Sequence, residues 1–305
     1  MQPYLIRRVL WTIPVLVFIS LITFALMHAV PGGPWDREKK LAPAVVENLN
    51  RRYGLDRPVW QQYLDFLGGA VRGDLGVSFI YQDRKVAEVI REGLPATATL
   101  ALAALSVALL IGIPLGVIAA VRQNSWVDHL CLLVATAGAC VPSFVMGILL
   151  IIVLAVGLHL LPTGGWGSWQ MVLMPALALG FHPAALLARI TRASMIEAIR
   201  QDYVLTARSK GIAEIVVIYR HILRNALIPV VTVLGPIAAG LIAGSFVIES
   251  IFAVPGIGKF YIQAIFARDY GLMMGTTLFY AVAITFANLT VDLAYAVVDP
   301  RIRYR

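Results

Sequence analysis

The segment AVPGIGKF, residues 253–260, comes closest in this chain to the spacing of a known catalytic motif. Glycine-rich loops of this kind cradle nucleotide phosphates, with a lysine on the phosphates and a Ser or Thr on magnesium. Ala253 stands where the first glycine is required, and Phe260 stands where the magnesium ligand is required. The chain itself is therefore not expected to bind ATP or Mg, and no other cofactor is indicated.

Ionisable residues inside long apolar runs are the next candidates, because charge is costly in a membrane and is usually kept for a function. His28, His182 and Asp292 lie well inside such runs, and Glu249 lies at the edge of one. Asp292 is expected either to bridge two helices or to line a pathway, and His182 either lines that pathway or packs between helices. No Ser–His pair, paired Asp or His-Glu-x-x-His string of an intramembrane protease is evident, so an enzyme is not indicated.

The composition shows what kind of element carries these residues. Hydrophobic residues make up 59% of the chain and the mean hydropathy is +0.81, against roughly 45–50% apolar residues in a soluble domain. The net charge of +8 is concentrated at the ends of apolar runs, which indicates membrane topology rather than nucleic-acid binding.

Cys131 and Cys140 lie on opposite sides of one helical run, so neither a disulfide nor a metal site is predicted.

Six apolar segments are long enough to cross a bilayer, which takes about 20 residues. They are Val9–Val30, Thr97–Val121, Leu130–Gly157, Met171–Ala188, Ala226–Ile248 and Thr276–Val298. The sequence thus predicts an all-α membrane protein with six transmembrane helices, and the prolines within them favour bent helices around a pathway. The spacings Gly112-x-x-x-Gly116 and Gly240-x-x-x-Gly244 allow close approach between helices.

The distribution of basic residues predicts which side of the membrane each loop faces, because Lys and Arg mark the cytoplasmic side. Arg7 and Arg8 precede the first span, and three arginines end the chain. Residues 189–225 hold seven basic residues against three acidic ones, whereas residues 158–170 contain no charged residue. Both termini and the 189–225 loop are therefore predicted to be cytoplasmic.

The long loop 31–96 is then external and is expected to form a small helical domain. Pro43 is suited to begin one helix and Gly54 to end it, and a second helix runs from about Pro58 to the glycines at 68 and 69. The predicted organisation is a cytoplasmic tip and first span (1–30), the external domain (31–96), a five-helix core containing the cytoplasmic 189–225 loop (97–298), and a cytoplasmic tail (299–305).

The 189–225 loop carries two apolar stripes at helical spacing, which predict a helical elbow. The stripes comprise Ile196, Ile199, Tyr203 and Ala207, and then Ile215, Ile218 and Ile222. Gly211 is placed to end the first helix, with Arg208 and Lys210 suited to its negative end. A small exposed tip of this kind can enter a cleft on another protein. The alternatives are a solvated loop that only enforces topology, a lipid-surface helix, and a DNA-binding helix-turn-helix, which is disfavoured because both helices run into spans.

The segment DYVLTARSKGIAEIVVIYRHILRNALIPVV, residues 202–231, resembles the cytoplasmic loop of ABC-transporter permeases of the dipeptide, oligopeptide and nickel importer family. Its Ala-x-x-x-Gly element is Ala207 to Gly211, where Leu205-Thr206 replaces the Glu-Ala of the general motif. Further matches follow in the family's order: YLIRRVL (4–10), GDLGVSF (73–79), VIESIFAVPGIGKF (247–260) and NLTVDLAYAVVDPRIRYR (288–305). The resemblance thus extends over nearly the whole chain, although PGGP (31–34) replaces the more usual Pro-Gly-Asp-Pro.

That resemblance implies a type I ABC importer permease that carries di- or oligopeptides across the plasma (inner) membrane of a bacterium or archaeon. Its implied partners are a second homologous permease, two ATPase subunits that bind ATP and Mg, an external solute-binding protein, the lipid bilayer and the peptide. The coupling residues implied at the ATPase are Ala207, Arg208, Lys210, Gly211, Ile212 and Glu214. The alternatives are a nickel or glutathione permease of the same family, or an ion-driven secondary carrier. No His/Cys cluster that would favour nickel is evident, and neither is the inverted repeat usual in secondary carriers.

Overall fold

The computed structural model describes residues 2–35, 42–81 and 84–298, without the side chains of residues 2–9 and 291–298. Within these ranges the chain is almost entirely helical. The β pairing found there is one isolated antiparallel bridge between Val77 and Lys85. The prediction of an all-α protein is therefore confirmed.

Thirteen α-helices follow one another along the described residues. They are α1 (Gln2–Ala29), α2 (Pro43–Tyr53), α3 (Val59–Val71), α4 (Val86–Val121), α5 (Trp126–Cys140), α6 (Ser143–Leu150), α7 (Trp169–Ile199), α8 (Asp202–Ser209), α9 (Glu214–Val216), α10 (Arg224–Gly244), α11 (Phe246–Ile251), α12 (Ile257–Phe266) and α13 (Tyr270–Val298). Two π-helical segments, Ile151–Gly157 and Val217–Leu223, extend α6 and join α9 to α10.

Five stretches of helix are long and apolar enough to cross a membrane, and a bent pair supplies a sixth. The pair is Trp126–Cys140 with Ser143–Gly157, and the helix direction bends by 105° between its two parts. Pro142 causes this break, because proline disfavours helical geometry in the residue before it, and Val141 is extended at φ −84° and ψ 120°. The predicted six spans are confirmed, with the third one sharply broken.

The described residues form two compact units, 2–96 with 255–285, and 97–254 with 286–298. The core of the first unit contains Phe24 and Met27 of α1 and Met274 of α13, with Tyr63 and Phe66 of α3 packed against them. Aromatic and methionine side chains thus hold the long helices and the short ones of this unit together.

The two short helices of the first unit agree in part with the sequence prediction. Pro43 begins α2, and Gly54 ends it with a left-handed φ of +67°, as predicted. Helix α3 does not stop at the two glycines but continues to Val71. A Cβ at Gly69 would lie 2.7 Å from the carbonyl oxygen of Asp74, so this glycine permits a close backbone approach rather than ending the helix.

The loop that follows α3 is held by a buried carboxylate. Asp269 is fully buried and accepts hydrogen bonds from the hydroxyl of Ser78, from Phe79 N at 2.7 Å and from Ile80 N at 3.0 Å. Its other oxygen accepts from Leu272 N at 3.0 Å. A single side chain therefore fixes the end of the GDLGVSF segment and caps the start of α13.

The second unit is built around α7, which packs against α4, α5, α6 and α10. A Cβ at Gly112 would lie 2.5 Å from the carbonyl oxygen of Ala184, and one at Gly116 would lie 2.6 Å from that of Ala188. The predicted close approach at this glycine pair is confirmed. Gly240 and Gly244 have no atom of the described residues within 4 Å of such a Cβ.

Candidate functional site

The elbow, defined as residues 202–223, begins with a break in the helix rather than with a continuation of α7. Helix α7 ends at Ile199, and α8 starts at Asp202 after a turn in which Gln201 N donates to Ala198 O at 3.2 Å. Gly211 ends α8 with a left-handed φ of +72°, and its N–H donates to Arg208 O at 2.9 Å. Glycine adopts this conformation without the steric cost that other residues incur, so the predicted stop is confirmed.

The inner side of the elbow is a tightly packed cluster of small and branched aliphatic side chains. Its buried members are Ala120, Met195, Ala198, Val204, Ala207, Val217, Ile222 and Ala226. Ala207 is only 4% exposed, so its small side chain packs inward and does not form the tip. The cluster therefore packs both arms of the elbow tightly against the ends of α4, α7 and α10.

Two residues predicted to face inward lie outward instead. Tyr203 is 39% exposed and Val204 is fully buried, because the break before Asp202 shifts the register of α8. Ile215 is 60% exposed, whereas Val217 and Ile222 are fully buried. The π-helical segment explains this second difference, since hydrogen bonds from i to i+5 place residues five apart on one face.

The tip of the elbow is closed by an ion pair. Arg208 donates to Glu214 through Nε at 3.1 Å and through its terminal nitrogen at 2.6 Å. This hydrogen bond with the carboxylate raises the pKa of the Arg208 guanidinium above its ordinary value. Lys210 and Gly211 lie exposed beside the pair. The predicted tip residues are therefore brought together, with Ile212 half-buried against the aliphatic cluster.

The outer surface of the elbow is apolar to an unusual degree for a basic loop. Its large exposed side chains are Tyr203, Leu205, Ile215, Val216 and Tyr219, with exposed fractions of 39%, 67%, 60%, 40% and 59%. Groups of exposed apolar side chains rimmed by polar residues mark sites of interaction with proteins or membranes. The elbow thus combines a rigid inner packing with an outer surface suited to a partner.

Of the three ionisable residues predicted well inside spans, His182 and Asp292 were the candidates for lining a pathway. His182 lies on α7 with its ring exposed, and its Nδ1 lies 3.2 Å from the carbonyl oxygen of Ala139. That carbonyl belongs to the last turn of α5, where the break at Pro142 leaves backbone groups without helical partners. The side chain of Asp292 lies outside the described residues.

A buried ion pair near the elbow was not predicted. Arg192 of α7 donates to both carboxylate oxygens of Asp128 at 2.7 Å, and the side chain of Asp128 is 2% exposed. Asp128 also accepts from Asn124 N at 2.9 Å, and its own N–H donates to Ser125 Oγ at 3.3 Å. The Ser-x-x-Asp spacing at 125–128 is a helix-start signal that could have located Asp128, but nothing local indicates Arg192.

Glu249 was placed at the edge of a span but is fully buried. It accepts hydrogen bonds from Thr97 Oγ1 at 2.8 Å and from Ser245 Oγ at 2.7 Å. A buried carboxylate needs such donors to compensate for the loss of water. Glu249 therefore ties α11 to the part of α4 that begins at Thr97.

Comparison with known proteins matches nearly the whole chain to two family models. Residues 1–101 match the family model described as the N-terminal part of the binding-protein-dependent transport system membrane component. Residues 112–304 match the model of the binding-protein-dependent transport system inner membrane component. The dipeptide transport system permease protein DppB of Bacillus subtilis (strain 168) is 41% identical over 303 residues, which are 99% of this chain and 98% of that protein.

Other relatives and solved structures agree with these matches. The oligopeptide transport system permease protein OppB of Escherichia coli (strain K12) is 39% identical over 306 residues, covering both proteins completely. Among solved structures, an inward-facing MetNI methionine ABC transporter has a TM-score of 0.60 at 16% identity, over 69% of this chain and 96% of that one. This likeness confirms the type I importer permease fold. The chain is a multi-pass membrane protein that belongs to the family of binding-protein-dependent transport system inner membrane components.

Proposed function

We propose that the chain is one of two homologous membrane subunits of an ATP-driven ABC importer for di- and oligopeptides. The observation that carries this is the identity of about 40% to dipeptide and oligopeptide permeases over the full length of the chain. A solute-binding protein delivers the peptide from outside, and two ATPase subunits bind ATP and Mg. Nickel, glutathione and ion-driven transport have no comparable support.

The elbow is the part of this chain that contacts an ATPase subunit. Its exposed apolar side chains offer area for a protein partner, and the Arg208–Glu214 pair and Gly211 fix the shape of the tip. When the ATPases close on ATP, the aliphatic cluster under the elbow carries the movement to α7 and α10. The spans then open to the outside and accept peptide, while hydrolysis itself takes place on the partners and this chain is not an enzyme.

The proposed location is the plasma membrane of a bacterium or archaeon, with both termini and the elbow in the cytoplasm. The support is the excess of basic residues in 189–225 and at both ends of the chain. A reporter fused at Lys210 should behave as cytoplasmic, and one fused near Gly165 as external. The reverse result at either position would contradict the topology.

The test of the transport function uses the chain together with its partner subunits in liposomes. We expect uptake of a radiolabelled dipeptide that requires ATP and the binding protein and is unaffected by collapsing ion gradients. Nickel and glutathione, offered at the same concentration, serve as competing substrates. Uptake of either one without competition by peptides, or uptake driven by an ion gradient alone, would refute the proposal.

A further inference from the structure

Helix α3 turns an apolar face outward. Trp60, Leu64 and Val71 are 62%, 55% and 88% exposed. Their positions differ by four and seven residues, so they lie within a narrow arc of the helix at 3.6 residues per turn. The exposed charged residue of α3, Asp65, points away from this arc, because neighbouring residues on a helix are about 100° apart. A short helix in water normally presents polar side chains on such a face.

A different face of α3 packs on two helices that are long and apolar enough to span the membrane. Tyr63 and Phe66 contact the cluster formed by Phe24 and Met27 of α1 and Met274 of α13. The rings of Phe24 and Tyr63 are 5.2 Å apart between centroids. The contact is therefore made with the sides of the spans rather than with a loop above them.

Hydrogen bonds fix how far along the span α3 is placed. The hydroxyl of Tyr63 lies 3.0 Å from Ser20 Oγ and donates to Val17 O at 3.2 Å. The apolar part of α1 follows Arg7 and Arg8 and ends at Ala29, so Ser20 is close to its middle, roughly 13 Å from its end at 1.5 Å per residue. Half the hydrocarbon core of a bilayer is about 15 Å thick. Because a tyrosine side chain is much shorter than that, α3 lies at the depth of the hydrocarbon core and not above it.

We propose that α3 lies within one leaflet of the bilayer, with Trp60, Leu64 and Val71 in contact with acyl chains. Amphipathic helices of this kind place aromatic and aliphatic side chains toward the acyl chains and polar ones toward the headgroups. The polar side of α3 fits this arrangement, since Asp65 pairs with Arg57 at 2.8 Å and both side chains are more than half exposed.

Lipid fits this face because α1, the span on which α3 packs, also exposes large apolar side chains along its length. Phe18, Leu21 and Ile22 lie on other faces of α1 than Ser20 and are 63%, 46% and 42% exposed. Helix α2 provides the contrast, since it exposes the ion pair of Arg51 and Glu47, joined at 2.6 Å. Lipid contact does not depend on which side of the membrane the unit faces; only the choice of leaflet rests on the topology proposed above.

The test places a spin label at Leu64→Cys and, as the matched control, at Glu47→Cys on α2. The background carries Cys131→Ala and Cys140→Ala, which removes both native thiols. The full-length chain is reconstituted in liposomes, and relaxation of each label by oxygen and by a water-soluble nickel chelate is measured. We expect oxygen to relax the Leu64 label strongly and the chelate to have almost no effect, with the reverse order at Glu47.

Two outcomes would overturn the proposal. If the chelate relaxes both labels equally, α3 faces water. If neither reagent reaches the Leu64 label, a protein surface covers it instead of lipid. Should Leu64→Cys fail to give a monodisperse protein, Val71→Cys on the same face gives the same information. Peptide uptake is not part of this measurement, so its result stands apart from that of the transport assay.

Discussion

The molecule contains two short helical hairpins that use the same turn and are held in different ways. In the α2–α3 hairpin, Gly54 has a φ of +67°, and in the elbow Gly211 has a φ of +72°. The first hairpin is held by aromatic rings, with Tyr53 packed 4.7 Å from Phe79 between centroids. The elbow is held by alanine, valine, isoleucine and methionine side chains, with no aromatic member among the buried residues of this cluster in the described chain.

This difference agrees with the coupling role proposed for the elbow. Aromatic rings bury much surface per residue. Small aliphatic side chains bring helix backbones close together, so that displacement of one helix displaces the next. A similar glycine turn is thus packed on aromatic rings in the α2–α3 hairpin and on small aliphatic side chains in the elbow. The packing beneath the turn, rather than the turn itself, distinguishes the two hairpins.

The largest expected effect comes from removing the anchor of the loop that follows the first hairpin. Asp269→Ala would leave the hydroxyl of Ser78 and the N–H groups of Phe79 and Ile80 without their acceptor, at about 1–3 kcal/mol for each buried donor left unpaired. We therefore expect a severe loss of folded protein, measured as membrane abundance and protease resistance. Asp65→Ala, which breaks an exposed ion pair, is the control and should cost less than about 1 kcal/mol. Equal abundance of both variants would show that the carboxylate is not an anchor.

The next effect separates the two turns directly. Gly211→Trp and Gly54→Trp impose a similar backbone cost of about 1–2 kcal/mol, since both positions are left-handed. Only the first is expected to uncouple ATP hydrolysis from peptide uptake or to prevent co-purification of the ATPases, because only the elbow is proposed to contact them. Normal assembly and transport by Gly211→Trp, at normal abundance, would reduce the elbow to a topological loop. Loss of coupling by Gly54→Trp as well would remove the distinction between the hairpins.

The smallest effect concerns the charges at the tip of the elbow. Arg208→Ala breaks the ion pair with Glu214, whose side chains are 41% and 56% exposed, and exposed pairs contribute less than about 1 kcal/mol. Lys210→Ala should be equally mild, so uptake in both variants should stay close to that of the native protein. A large loss in either would mean that the partner reads charge at the tip, and the apolar surface would then no longer account for docking.

The features predicted correctly from the sequence are those set by neighbouring residues. Pro43, Gly54 and Gly211 act within a single turn of helix, so their positions are sufficient to predict helix ends. A close helix approach at Gly112 and Gly116 was also predicted, though not its partner α7, because residues four apart lie on one helix face.

The features that sequence reasoning missed depend on distant partners or on register. Asp269 meets Ser78, 191 residues away in the chain, and Glu249 meets Thr97, 152 residues away. No local pattern specifies such a meeting. Ile215 was placed on the wrong face because a regular period of 3.6 was applied across a π-helical segment, whose geometry the apolar pattern alone does not reveal.

The π-helical segment Val217–Leu223 also bears on how the length of this loop can vary during evolution. A π turn holds one residue more than the α turn it replaces, so losing one residue here can be absorbed by a return to α geometry. The same deletion within α7 would rotate everything beyond it by about 100° and separate Arg192 from Asp128. Changes of length in this part of the chain are therefore expected to collect at 217–223, where they leave the faces of α7 and α10 in place.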